Sequence, residues 1–84
     1  MQASTIKNSL ARRGFVFTDL DTPNGRVRIT ARGPKSPADP GNDGERDTVV
    51  RAQRDGETLH RSAHRSRGSA ARRYVELVGK YSDN

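Results

Sequence analysis

Between Gly14 and Arg32 the chain reads Gly-Phe-Val-Phe-Thr-Asp-Leu-Asp-Thr-Pro-Asn-Gly-Arg-Val-Arg-Ile-Thr-Ala-Arg. Two runs rich in β-branched and aromatic residues flank Pro23, Asn24 and Gly25, which is the pattern of a β-hairpin. Its register follows from burial. With Leu20 opposite Arg26, Phe15 meets Ala31, Phe17 meets Ile29 and Asp19 meets Val27. One face then collects Phe15, Phe17, Val27, Ile29 and Ala31. The other collects Val16, Thr18, Leu20, Arg26, Arg28 and Thr30. A tight turn at Asn24-Gly25 would instead set Phe17 against Arg32 and leave both Phe on a mostly polar face. A slip of one residue moves every side chain across the sheet, so burying the two Phe selects the first register.

The flanking segments are read around this hairpin. Ser4 is placed to cap a short helix that runs to Arg13, with Ile6 and Leu10 one turn apart and Gly14 at its left-handed end. Thr48 to Gln53 reads as a third strand. Asp55-Gly56 supplies the positive φ angles of a second tight turn. Thr58 to Ala63 reads as a returning strand, although 57–64 also suits a helix. With Arg54 opposite Glu57, the strand register sets Ala52 against Leu59 and Val50 against Arg61. Ser69 is placed to cap the last helix, whose apolar stripe is Ala70, Ala71, Tyr74, Val75, Leu77, Val78 and Tyr81. Arg72, Arg73, Glu76 and Lys80 take the opposite arc. The expected fold is α+β: an antiparallel sheet of three or four strands, with the short N-terminal helix and the amphipathic C-terminal helix packed on one face.

Eighty-four residues, 30% of them apolar, suit one small domain, 1–84. So small a core is marginal and leaves room for a partner or a second copy of the chain to complete it. Pro34, Pro37, Pro40, Gly41 and Gly44 exclude a regular element over 33–47, which reads as a flexible, partly acidic connector. Without cysteine there is neither a disulfide nor a thiolate zinc site. No apolar run reaches membrane-spanning length, and Met-Gln-Ala-Ser-Thr is no secretory start. A cytoplasmic location is expected, with no membrane partner.

The charge is the functional signal. The chain carries a formal +6, and nearly all its cations are Arg. A basic surplus favours an acidic partner, most often nucleic acid, although Arg-rich, Lys-poor usage also follows from a G+C-rich genome. From Thr58 to Val75 there is no acidic residue, while Arg61, Arg65, Arg67, Arg72 and Arg73 fall within that window. The planar guanidinium fork suits phosphate, and Arg65, Arg67 and the first amides of the last helix are positioned to hold one together. Arg26 and Arg28 extend the patch from the open face of the hairpin. These seven arginines are the expected nucleic-acid-binding residues.

No catalytic residues are identified. His60 and His64 lack further ligands for a metal, Asp19 and Asp21 read as turn residues, and no phosphate loop or nucleophile motif is present. Neither a cofactor nor an enzyme activity is expected. Phe15, Phe17, Tyr74 and Tyr81 take structural positions, which argues against a base-stacking platform for single strands. In element order alone the chain resembles a double-stranded RNA-binding domain. The Lys cluster that opens that family's last helix is absent, Arg72 and Arg73 stand nearest to it, and no function is taken from the likeness. The leading expectation is a small non-enzymatic basic protein that binds DNA or RNA through the phosphate backbone. The alternatives are a compact protein-binding inhibitor or accessory factor, for example phage- or plasmid-encoded and acting on a host complex, or a structural subunit of a larger particle. Either alternative calls for an interface built on apolar patches.

Overall fold

A computed structural model describes residues 2–33 and 47–82. Its elements are α1 (Ala3–Arg13), β1 (Phe15–Thr22), β2 (Gly25–Arg32), β3 (Thr48–Arg54), β4 (Glu57–His64) and α2 (Arg67–Ser82). The strands form one antiparallel sheet in the order β1-β2-β3-β4. Both helices lie on the same face: α2 packs across all four strands, and α1 packs against α2 and β1. The expected α+β arrangement is therefore present, and 57–64 is a strand. The connector over 33–47 lies outside the described residues apart from its ends, Gly33 and Asp47.

The core is Ile6 and Leu10 from α1, Val27, Ile29 and Ala31 from β2, Val50 and Ala52 from β3, and Ala70, Ala71, Tyr74 and Leu77 from α2. Val75, Val78 and Tyr81 pack at its margin, as the stripe on α2 requires. Neither helix is capped as expected. Gln2 precedes α1 without a side-chain cap, and Ser4 sits inside the first turn. Gly14 ends the helix at φ 71° and donates its N–H to the Leu10 carbonyl at 2.8 Å, the left-handed terminus that glycine adopts at least cost. At α2 the cap is Ser66, whose Oγ accepts the Ser69 N–H at 3.1 Å.

The first hairpin takes neither register considered above. Thr22 pairs with Gly25, so Pro23-Asn24 form the loop and Phe15 faces Arg32, Phe17 faces Thr30 and Leu20 faces Val27. Proline holds φ near −65° and cannot enter a turn of the primed type. The unusual backbone falls instead on Gly25, at φ 124°. This one-residue difference moves both phenylalanines out of the core: Phe15 is 38% and Phe17 51% exposed. Val16, Thr18 and Leu20 take the inner side. Tyr74 explains the preference, because its ring is fully buried under α2 and its hydroxyl shares a hydrogen bond with Thr18 Oγ1. A Phe at that inner position would meet the tyrosine ring.

The second hairpin turns at Asp55-Gly56 with both φ angles positive, as expected. Arg54 pairs with Glu57 and Gln53 with Thr58, but then the ladder slips, and Ala52 pairs with His60, Arg51 with Arg61 and Val50 with Ser62. Leu59 is the extra residue. A bulge re-aims every side chain beyond it. Here it turns His60, Ser62 and His64 toward α2 and Arg61 away from it, the reverse of the register read from sequence.

Candidate nucleic-acid interface

Both helices lie on one side, so among the described residues no element covers the other side of the sheet. The pairings set its side chains in rows that cross all four strands. One row is Phe17, Thr30, Arg51, Arg61; its neighbours are Phe15, Arg32, Val49, Ala63 and Asp19, Arg28, Gln53, Thr58. Asp21 pairs with Arg26 at the hairpin end. The open face thus carries Arg26, Arg28, Arg32, Arg51 and Arg61 around two aromatic rings.

The rings and cations are organised together. The Phe15 and Phe17 centroids are 5.7 Å apart with planes 30° from parallel. The Arg28 guanidinium lies 5.1 Å from the Phe17 centroid and that of Arg32 5.7 Å from Phe15, within cation–π range. Arg28 is also held at both ends of its fork by Asp19, with Nε–Oδ1 at 2.7 Å and Nη2–Oδ2 at 3.0 Å. That hydrogen bond lowers the Asp19 pKa and raises that of Arg28. Arg26 pairs with Asp21 at 3.0 Å, both side chains largely in solvent. Arg51 and Arg61 stand directly opposite each other on β3 and β4, and both are exposed.

The seven arginines singled out from sequence do not form one site. Arg26, Arg28 and Arg61 belong to the open face. Arg65 precedes α2, Arg67 begins it, and Arg72 and Arg73 lie on its exposed arc, on the opposite side of the sheet. Arg73 donates to Glu76 at 3.0 Å. The α2 amide nearest Arg65 and Arg67 is in part already used, by the Ser66 cap. Sequence reasoning missed Arg32, Arg51, Phe15 and Phe17. The loop of two residues at Pro23-Asn24 turns Phe15 and Phe17 to the face of Arg32, and the β2–β3 pairing brings Arg51 to the same side.

Beneath the sheet, the bulge builds a polar chain. His60 Nε2 lies 3.1 Å from Ser62 Oγ, Ser62 Oγ lies 2.7 Å from His64 Nε2, and His64 Nδ1 lies 2.9 Å from Ser69 Oγ. It ties β4 to the first turn of α2. Burial pushes the His60 pKa below its ordinary value, and repulsion from Arg73, Lys80 and His64 adds to this. A depressed pKa means that the unfolded chain takes up the proton first, so this stabilisation is complete above about pH 6.5. It is lost as pH falls through the folded-state value of His60. Thermal melts at pH 7 and pH 5 should show a fall in Tm that His60→Gln reduces; an equal fall in that variant would assign the effect elsewhere. The hydrogen bond from Arg28 holds the Asp19 carboxyl below its ordinary value, which leaves this window clear.

Among the described residues, no group of three or more His, Cys, Asp or Glu is placed to hold a metal ion, and no helix is long and apolar enough to cross a membrane. No protein-family model, curated protein or solved structure matches the chain.

Proposed function

We propose that this chain is a small non-enzymatic protein that binds nucleic acid, with its phosphate contacts made by the open face of the sheet. The observation that carries the reading is the convergence of Arg26, Arg28, Arg32, Arg51 and Arg61 on the face that neither helix covers. The formal charge of +6 supports it, because a positive field draws in a polyanion from a distance. Arg65, Arg67, Arg72 and Arg73 contribute to that field, and the contacts themselves belong to the sheet. A cytoplasmic setting goes with this reading.

The test compares two double variants. Arg51→Ala with Arg61→Ala should weaken binding of a labelled oligonucleotide about tenfold or more, since removing a charge-assisted hydrogen bond costs roughly 1.5–3 kcal/mol. Arg72→Ala with Arg73→Ala should change it by less than about threefold, as expected for charges acting through solvent. The reverse ranking would move the site to α2.

A second reading has an observation of its own. Phe15 and Phe17 form an exposed apolar patch, which suits a protein-binding inhibitor, an accessory factor or a subunit of a particle. A pull-down from lysate with and without nuclease separates the two classes: nucleic-acid binding predicts partners that vanish with nuclease.

A further inference from the structure

Resting on the nucleic-acid reading, we infer that the ligand is single-stranded and that two neighbouring unpaired bases stack on Phe15 and Phe17. The chain has two phenylalanines, and both stand outside a core that is otherwise short of large side chains. Placed inward they would each stabilise the fold; placed outward they offer apolar faces to water. Phosphate contact alone has no use for them. Bases within a duplex are already stacked on one another, so a protein ring finds a free base face only where the strand is unpaired.

The surroundings fit that ligand. Phe15 and Phe17 are two residues apart on β1, so their rings point the same way, side by side along the strand. Arg32 and Arg28 lie beside them, and a guanidinium plane stacks on bases as well as pairing with phosphate. Arg51 and Arg61 stand further along the same rows, toward β4. With strands roughly 4.8 Å apart, the face measures about 14 Å from β1 to β4, room for both bases and their flanking phosphates. Charge excludes the simplest rival, a second copy of the chain packed face to face. Among the described residues the face holds five arginines against Asp19 and Asp21, both already paired, and two such faces repel.

The experiment uses the full chain, with fluorescence anisotropy at low salt. The probes are short oligothymidine, oligouridine and a hairpin duplex of equal length. Single strands should bind more tightly than the duplex. Phe15→Ala and Phe17→Ala should each weaken single-strand binding roughly 5- to 100-fold, the range for losing one base stack, while duplex binding stays within about twofold. Phe17→Trp should retain single-strand affinity and Phe17→Leu should lose it, which separates stacking from mere apolar contact. Far-UV circular dichroism keeps the comparison to folded variants. If the duplex binds as well as the single strands, or the Ala variants bind like the parent, or Leu serves as well as Phe, the inference is overturned while the nucleic-acid reading stands. If no probe binds, both are overturned and the aromatic patch belongs to a protein partner.

Discussion

Tyr74→Ala should unfold the protein. Tyr74 is the largest side chain that is fully buried, and its ring sits where α2 meets the sheet. Removing a buried aromatic ring costs roughly 3–5 kcal/mol in lost transfer energy and cavity. A domain of this length has about 4–13 kcal/mol in total, and a core so rich in Ala and Val belongs at the low end. Circular dichroism should show lost cooperativity or a midpoint near room temperature. Tyr74→Phe isolates the hydroxyl. It leaves the Thr18 hydroxyl without its partner, at a cost of about 1–3 kcal/mol. Phe17→Ala is the contrast, because a ring half in water contributes little: its loss of stability should stay below about 1 kcal/mol. A Phe17→Ala loss as large as that of Tyr74→Ala would mean that β1 presents its other face to the helices.

The largest effect on binding should come from salt. Three to five phosphate contacts on a single strand give a slope of log K against log salt of roughly −2 to −3.5. A fourfold rise in salt then weakens binding by about 20- to 130-fold. The upper bound counts all five arginines of the face, of which Arg26 and Arg28 must loosen from Asp21 and Asp19. Arg51→Ala with Arg61→Ala should make the slope shallower by about 1.4. The Phe15 and Phe17 variants should leave the slope unchanged, since stacking releases no counterions. Titrations at several salt concentrations measure all of this, and a slope near zero in the parent would exclude phosphate contact.

The elements could be read from sequence because each has its own local cause: the Ile6–Leu10 spacing and Gly14 for α1, Asp55-Gly56 for the second turn, the stripe from Ala70 to Tyr81 for α2. The facing of the side chains could not. It depends on one residue at Pro23, where the loop shortens, and on one at Leu59, where the ladder slips. Both are settled by what fits beneath Tyr74 and the rest of α2, a tertiary constraint that alternation along a strand does not contain. The charge cluster from Arg61 to Arg73 was visible as a run, but a run of sequence that passes from a strand to a helix on the other side of the sheet divides in space. Arg51 and Arg61, ten residues apart, meet; Arg61 and Arg72, nearly as close in sequence, do not share a face.

The packing of α2 over the sheet has a consequence for synthesis of the chain. Every strand pairs with its neighbour in sequence, so the sheet can assemble hairpin by hairpin as the residues leave the ribosome. Its inner side cannot be covered at that stage, because Tyr74 and Leu77, which close over Val27, Ile29, Ala31, Val50 and Ala52, are made later. During translation the nascent chain therefore displays a meander that is apolar on one side and aromatic on the other. Among the described residues the edge along β1 is unpaired as well, and exposed strand edges with apolar faces are where nascent chains associate wrongly. Asp19 and Asp21 on that edge set charges where another strand would have to dock. The same two carboxylates that hold Arg28 and Arg26 on the finished face thus guard the unfinished one.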